Sequence, residues 1–215
     1  MQELEHKAIA KRAIEDIVHL VPAAPALLAQ WNYQWKFEEL RNEKRANIMT
    51  RLPEQFSGIV PPVCTPFTEE FEIDVESLQR LIEFLIHAGV HGLFVLGSTS
   101  ETVFLTDEQR AKVIDVAVKS AAGRIPVVAG VIDMTTARVL EHARAAYKAG
   151  VNGLVLTAPF YTRIGQDEIL EHFRMVKEAV DLPLIAYDIP AAVHTKIESQ
   201  TILHMAHERL IAGVK

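Results

Sequence analysis

The sequence predicts an α/β fold, an incomplete (β/α)8 TIM barrel that contains six of the eight strands. From Gly58 onward, short runs rich in Val, Ile and Leu alternate with longer amphipathic segments, the pattern of repeated βα units. Successive runs begin 26–34 residues apart, close to the roughly 30 residues of a strand and its crossover helix. Each run is nearly all apolar, which is typical of a parallel strand buried on both faces.

The predicted helices have recognisable ends. Thr106 with Gln109, and Thr195 with Glu198, have the spacing of capping boxes, which indicate helix N-termini. The six predicted strands cover residues 59–64, 92–96, 126–131, 153–157, 184–187 and 210–214.

A short phrase at residues 88–96, AGVHGLFVL, recurs at residues 149–157 as AGVNGLVLT. Its first glycine, Gly89 or Gly150, stands where a helix takes a left-handed residue after its last turn. The phrase is typical of any βα protein, so a doubly wound sheet is the alternative architecture. No G-x-G-x-x-G follows any predicted strand, however, and we therefore favour the barrel over a dinucleotide-binding fold.

The chain divides into two regions, a predicted N-terminal helical extension at residues 1–56 and the partial barrel at residues 57–215. Apolar residues recur at helical spacing between Ile9 and Leu20. Met49 begins a natural lead into the first strand, so we favour reading the preceding 48 residues as an upstream addition. A helical oligomerisation or docking segment is the alternative.

Composition narrows the class of protein. The 215 residues carry a formal net charge of -6 without a basic stripe, which argues against nucleic-acid binding. Cys64 is the single cysteine, and one unpaired thiol fits a reducing compartment. Neither a signal peptide nor a membrane span is evident. We therefore expect a cytoplasmic protein with no membrane and no nucleic-acid partner.

The active site of a βα barrel lies at the C-terminal ends of its strands, so polar residues that follow the strands are candidates. Lys215 follows the sixth strand, where burial among apolar walls would lower the pKa of its amine and make it a nucleophile toward a ketone. Taken alone, an ordinary lysine is the more frequent explanation. The candidates are Thr65, Ser98, Thr99, Asp133, Tyr161, Tyr187, Asp188 and Lys215.

Three of these candidates suggest a carboxylate site with a proton donor. Ser98 and Thr99 suit a carboxylate, because two hydroxyls and backbone N–H groups at a strand-to-helix turn can all donate. A polar turn that ends in a helix cap explains the pair equally well. Tyr187 can transfer a proton if a hydroxyl activates it, although a lone aromatic at a strand end more often packs. Their joint occurrence is what indicates a site.

Five motifs at these strand ends resemble the class I aldolases that form a Schiff base with pyruvate, which include dihydrodipicolinate synthase and N-acetylneuraminate lyase. The motifs are PPVCTPF (61–67), GLFVLGSTSE (92–101), TAPFY (157–161), YDIP (187–190) and GVK (213–215). The resemblance covers residues 58–215 and implies a TIM barrel that needs no cofactor. The substrate it implies is pyruvate or another 2-keto acid together with an aldehyde.

The resemblance also implies roles for individual residues. Lys215 is similar to the Schiff-base lysine, and Tyr187 to the tyrosine that shuttles protons near the substrate carboxylate. Ser98 and Thr99 are similar to the hydroxyls that hold this carboxylate, with Thr99 relaying protons. Tyr161 is similar to the tyrosine that completes the relay at a subunit contact, which implies a homo-oligomer, a tetramer in this family.

Further expectations complete the predicted site. Thr65 and Asp188, which follow the first and fifth strands, are expected to contribute to substrate binding. No metal is expected, because imine chemistry needs none. His204 and His207 lie at i and i+3 on a predicted helix without an obvious carboxylate partner, so we expect surface residues and not ligands.

Three positions depart from the family pattern. Ser100 replaces a glycine and Asp188 an asparagine, and both changes are expected to alter the mouth of the pocket. Ala192 stands where the synthases carry an arginine that grips a dicarboxylate. We therefore predict a pyruvate-dependent aldolase or lyase with an acceptor other than aspartate semialdehyde. Dihydrodipicolinate synthase is the first alternative, and an inactive barrel remnant with a binding or regulatory role is the second.

The sequence stops at Lys215, before the seventh and eighth strands that a closed barrel requires. We therefore expect a truncated reading of a longer protein. Its first and sixth strands would be open edges, so poor stability and little activity are expected of the 215 residues.

Overall fold

The computed structural model describes residues 57–215, in which strands and helices alternate along the chain. The predicted helical extension at residues 1–56 lies outside the described residues. The strands are β1 (Leu93–Val95), β2 (Val127–Gly130), β3 (Gly153–Leu156), β4 (Leu184–Ala186) and β5 (Gly213–Val214). The helices are α1 (Val75–His87), α2 (Asp107–Ala121), α3 (Thr136–Ala149), α4 (Gln166–Ala179), α5 (Pro190–Val193) and α6 (Ser199–His207). Two 3-10 turns follow β1, at Ser98–Ser100 and Thr102–Phe104.

The five strands form one parallel sheet in the order β1-β2-β3-β4-β5, with a helix on each crossover. Phe94 pairs with Val128 across β1 and β2, and Leu154 pairs with Leu184 across β3 and β4. Sequential order in a parallel sheet is the arrangement of a barrel wall, whereas a doubly wound sheet reverses its order at a switch point. The predicted α/β architecture is confirmed.

The first predicted strand, residues 59–64, is not a regular strand in the structure. It lies parallel to β1 and makes one isolated bridge, between Pro62 and Phe94. Three backbone hydrogen bonds hold it there, from His91 N to Ile59 O (2.7 Å), from Phe94 N to Pro61 O (3.1 Å) and from Val63 N to Phe94 O (2.8 Å). Because Pro61 and Pro62 have no N–H to donate, a continuous ladder cannot form.

The sixth predicted strand is also shorter than expected. Only Gly213 and Val214 of residues 210–214 belong to β5. The preceding Ala212 still donates its N–H to Leu184 O at 2.7 Å, so the segment approaches β4 in the predicted direction.

The sheet has two different apolar faces. Alternate residues such as Leu93 and Val95 face the helices and belong to the main core between sheet and helices. The residues between them face the opposite side, which is the barrel interior. That inner cluster consists of Phe94, Val128, Ile132, Val155 and Tyr187.

The predicted helix ends are confirmed in part. Thr106 and Gln109 form the expected capping box at α2, and Gly150 ends α3 at a φ of 86°. The box predicted at Thr195 is wrong, because α6 begins only after Glu198. Gln166 explains the difference, since its Oε1 accepts the N–H of Glu198 at 3.0 Å. Among residues 57–215, no helix has the length and apolar character needed to cross a membrane.

Candidate active site

The C-terminal ends of β4 and β5 bring Lys215 and Tyr187 together. The Nζ of Lys215 lies 3.8 Å from the ring centroid of Tyr187 and 5.6 Å from that of Phe94. The backbone is held in register, since Lys215 N donates to Ala186 O at 2.8 Å and Asp188 N donates to Lys215 O at 2.9 Å. The predicted nucleophile therefore lies over two aromatic rings of the inner face of the sheet. Lys215 is exposed, however, so the burial among apolar walls that the sequence predicted for its amine is not found.

Tyr187 is buried, with 8% of its surface exposed, and packs edge-to-face against Phe94 at a centroid distance of 6.3 Å. Burial alone raises the pKa of the Tyr187 phenol, but hydrogen bonding to Lys215 and Ser98 lowers the pKa by more. The net pKa lies below the ordinary tyrosine value. The phenol is thus easier to ionise, as a group that accepts and returns protons requires.

Ser98 and Thr99 are adjacent hydroxyl residues on the turn that follows β1. Ser98 begins this 3-10 turn, and hydrogen bonding to Ser98 is one of the causes that lower the pKa of the Tyr187 phenol. Thr99 is exposed on the same turn and is not among the groups that act on the phenol. Ser98 is therefore a second candidate for a proton relay with Tyr187, and the relay predicted for Thr99 stays a prediction.

The turn that carries Ser98 starts from a strained residue. Leu96 is buried yet adopts a φ of 57°, a left-handed conformation that is unusual for a bulky side chain. Its carbonyl oxygen presses against Gly130 of β2, where an added Cβ would lie only 1.9 Å away. Gly130 is thus the residue that gives the Leu96 carbonyl room, and the chain can then turn into the barrel mouth.

Thr65 is buried below this turn, and its hydroxyl donates to Ser100 O at 2.9 Å. Ser100 is fully buried. The expectation that it alters the mouth of the pocket is therefore wrong. Both residues connect the first extended segment to the turn that carries Ser98.

Asp188 points away from Tyr187. Its Oδ1 accepts the N–H of Ile197 at 3.1 Å, and its Oδ2 pairs with the Lys196 ammonium. Consecutive strand residues face opposite sides, so an inward Tyr187 places Asp188 toward the helices. The carboxylate holds the segment between α5 and α6, and its part in substrate binding stays a prediction.

Tyr161 does not lie with Lys215 and Tyr187 in the described structure. It follows β3, is 90% exposed, and has a φ of 85°. Left-handed backbone at an exposed aromatic residue is a strained arrangement that the surrounding structure must maintain. Phe104, in the turn after β1, is another large apolar side chain that is 80% exposed.

Asp133, which follows β2, belongs to a polar cluster outside the barrel interior. Its Oδ2 lies 2.9 Å from His142 Nε2 and 3.9 Å from the buried guanidinium of Arg110. Burial raises the pKa of the Asp133 carboxyl. Hydrogen bonds from His142 and the Met134 N–H, together with the Arg110 charge, outweigh burial, so the net pKa lies below the ordinary value. The cluster pins α2 and α3 to the β2 end, since Arg110 also donates to Ile132 O.

Phe94 is the site residue that the sequence patterns missed. It lies in the middle of an all-apolar strand, and only the alternation of the pleat shows that it faces inward with Tyr187. In the structure its ring lines the site beside both Tyr187 and Lys215.

The described residues contain no group of three or more His, Cys, Asp or Glu side chains arranged to hold a metal ion. His204 and His207 are both exposed on α6. The expectation that they lack a carboxylate partner is wrong for His204, whose Nε2 lies 3.0 Å from Glu208 Oε1, one helical turn away.

Comparison with known proteins extends over the whole described region. Residues 55–215 match the profile of the dihydrodipicolinate synthetase family. A 4-hydroxy-tetrahydrodipicolinate synthase from Salinibacter ruber is 35% identical over 161 residues, 74% of this chain and 53% of the relative. One from Methanosarcina barkeri is 36% identical over 160 residues, 74% of this chain and 54% of the relative. The chain thus spans about half the length of the curated relatives it matches.

Solved structures of the family are similar in fold. The dihydrodipicolinate synthase of Aquifex aeolicus is 38% identical with a TM-score of 0.69, covering 71% of this chain and 52% of its own. YagE from E. coli K12, in complex with pyruvate, is 32% identical with a TM-score of 0.70, covering 74% and 54%. A sialic acid aldolase from Ruminococcus gnavus is 25% identical with a TM-score of 0.72, covering 76% and 54%. The resemblance seen in the motifs is confirmed.

Proposed function

The chain belongs to the dihydrodipicolinate synthetase family, and on that premise we propose that it is a pyruvate-dependent class I aldolase or lyase. Lys215 is its Schiff-base nucleophile and Tyr187 its proton carrier. Ser98 is the hydroxyl through which Tyr187 exchanges protons. The observation that carries the proposal is the position of the Lys215 Nζ, 3.8 Å from the Tyr187 ring, beside a phenol whose pKa is lowered.

The proposed reaction begins when the neutral amine of Lys215 attacks the keto carbon of pyruvate. The resulting carbinolamine takes a proton on its hydroxyl group, which leaves as water, and the remaining carbon and nitrogen form the iminium. Tyr187, with a lowered pKa, supplies and recovers these protons through Ser98. Loss of a proton from the methyl carbon then yields an enamine, because the iminium nitrogen accepts the electron pair. The enamine carbon attacks an aldehyde, and water releases the product from Lys215.

The carboxylate of the 2-keto acid is assigned to the turn at residues 98–100. Ser98 and Thr99 are both exposed at the barrel mouth, and hydrogen bonding to Ser98 lowers the pKa of the Tyr187 phenol. Hydroxyl and backbone N–H donors at such a turn suit an anion. Thr65, whose hydroxyl is committed to Ser100 O, supports the turn from below.

The acceptor aldehyde is proposed to differ from aspartate semialdehyde. Ala192, in the short helix α5, is exposed and leaves no guanidinium fork for a second carboxylate. The names of the curated relatives favour the alternative, a 4-hydroxy-tetrahydrodipicolinate synthase. Rates with aspartate semialdehyde and with sugar-derived 2-keto acids separate the two, and rapid turnover of the semialdehyde would establish the alternative.

We assign Tyr161 to a contact with a second copy of the chain, as part of a homo-oligomer that would be a tetramer by family resemblance. Its exposure of 90% and its strained φ of 85° support a partner that covers it, and exposed Phe104 adds apolar surface. A cytoplasmic location stays a prediction from the single thiol.

Exchange of the pyruvate methyl protons in D2O tests the proposal, because the enamine is the only proposed species that labels this carbon. We expect the chain to accelerate the loss of the methyl proton signal in 1H NMR, and Lys215→Met to abolish the acceleration. Lys119→Met removes an exposed lysine on α2 that pairs with Asp115, and it should exchange like the parent chain. Equal exchange by the parent chain and Lys215→Met would contradict the proposal.

A further inference from the structure

Ser100 is a polar residue in a fully buried position, at the end of the 3-10 turn that Ser98 begins. Its hydroxyl donates to Val63 O at 2.5 Å and accepts the N–H of Gly97 at 3.2 Å. Its carbonyl oxygen accepts the Thr65 hydroxyl at 2.9 Å. Buried polar groups need hydrogen-bond partners, and Ser100 is the partner of three of them: the Val63 carbonyl, the Gly97 N–H and the Thr65 hydroxyl.

These bonds join two parts of the site that the sheet alone holds weakly. The extended segment before β1 contains Pro61 and Pro62, which cannot donate to a ladder. The bonds from Ser100 to Val63 and from Thr65 to Ser100 supply interactions that those prolines cannot. Ser100 therefore fastens the segment to the turn at the barrel mouth.

The same turn is fixed at its other end by a close backbone contact. The strained Leu96 carbonyl lies against Gly130, and Gly97 follows directly. Ser98 thus stands between two anchors, the Leu96–Gly130 contact behind it and the Ser100 hydroxyl ahead of it. Both anchors are buried, whereas Ser98 itself is exposed at the mouth.

We propose that Ser100 is a positioning residue, whose buried hydroxyl holds the turn that presents Ser98 at the barrel mouth. Loss of the hydroxyl leaves Gly97 N–H and Val63 C=O without their shared partner, so the turn must move or admit water. The catalytic consequence rests on the proposed function, but the positional consequence does not.

Ser100→Ala in the full chain tests the positional part through the Tyr187 phenol. The pKa of Tyr187 is followed by NMR of 13C-labelled tyrosine, with the signal assigned by its loss in Tyr187→Phe. We expect a higher Tyr187 pKa in Ser100→Ala, because removal of the Ser98 bond destabilises the phenolate. Ser199→Ala, at the exposed start of α6, is the matched control and should leave the Tyr187 pKa unchanged.

The catalytic part is read from the rate of borohydride-trapped pyruvate adduct, which should fall about 10- to 100-fold in Ser100→Ala. Ser100→Cys keeps a weak donor and acceptor, so its adduct rate should lie between the rates of the parent chain and of Ser100→Ala. This variant tests the inference if Ser100→Ala does not fold. An unchanged Tyr187 pKa and adduct rate in a folded Ser100 variant would overturn the inference. A raised Tyr187 pKa with no adduct in the parent chain would instead support the positioning role and refute the proposed function.

Discussion

The Lys215 amine lies 3.8 Å from the centroid of the Tyr187 ring, and each residue stands at the end of its own strand, β5 or β4. The parallel register sets this distance, because Lys215 N bonds Ala186 O and Asp188 N bonds Lys215 O. An amine and a phenol held this way can exchange a proton directly or through Ser98, since hydrogen bonding to Ser98 also lowers the pKa of the phenol. The proposed imine chemistry depends on this pair.

Replacing Lys215 separates its charge from its nucleophilicity. In Lys215→Met we expect a higher Tyr187 pKa, because the hydrogen bond and the positive charge that stabilise the phenolate are lost. Lys215→Arg keeps the charge and should preserve most of the lowered pKa, while it cannot form an imine. Titration of 13C-labelled tyrosine checks both variants, and an unaltered Tyr187 pKa in Lys215→Met would refute the interaction.

Gly130→Ala should destabilise the fold by about 3 kcal/mol, since a Cβ there would lie 1.9 Å from the Leu96 carbonyl oxygen. Gly150→Ala is the matched comparison. Nothing lies within 4 Å of a Cβ at Gly150, so only its φ of 86° opposes the change, at about 1 kcal/mol.

Urea unfolding of the two glycine variants measures this difference. If Gly130→Ala proved no less stable than Gly150→Ala, the close approach of Leu96 to Gly130 would not be a constraint on the turn that carries Ser98.

His172 on α4 should make the fold sensitive to mild acid. Burial lowers the pKa of His172 to about 4, although the Thr157 backbone favours the charged form. Because this pKa lies below the unfolded value of about 6.5, stability is full above the unfolded pKa and falls as the pH drops toward the folded pKa. Between pH 7 and pH 5 the loss should be about 2 kcal/mol.

Unfolding of His172→Gln at the two pH values tests this contribution. The variant should lose less stability on acidification than the parent chain, whereas His207→Gln, which changes an exposed histidine on α6, should lose as much as the parent. An identical pH dependence in His172→Gln and the parent would contradict the assignment.

Local chemistry made much of the fold predictable. All-apolar runs mark the four strands β1 to β4, and the capping box at Thr106 marks the start of α2. One failure has a tertiary cause. The predicted cap at Thr195 lost its role because Gln166 of a different helix bonds Glu198 N, and no local pattern reveals such a partner.

The site was predictable in composition but not in detail. Strand ends identified Lys215 and Tyr187, which the structure brings together. Sequence could not distinguish Ser98 from Thr99, because two adjacent hydroxyls differ only in the direction that the turn gives them. The turn that carries both hydroxyls begins just after left-handed Leu96, a conformation that a sequence does not reveal for a leucine.

Trapping of the imine tests the central claim most directly. The chain is incubated with pyruvate, reduced with borohydride, digested with trypsin, and mapped by mass spectrometry. We predict a reduced pyruvyl adduct on Lys215, in the peptide that begins at Leu210, and its loss in Lys215→Arg. Lys177, whose pKa burial lowers, is the internal control for indiscriminate modification. No adduct anywhere, or an adduct at Lys177 in place of Lys215, would contradict Lys215 as the nucleophile.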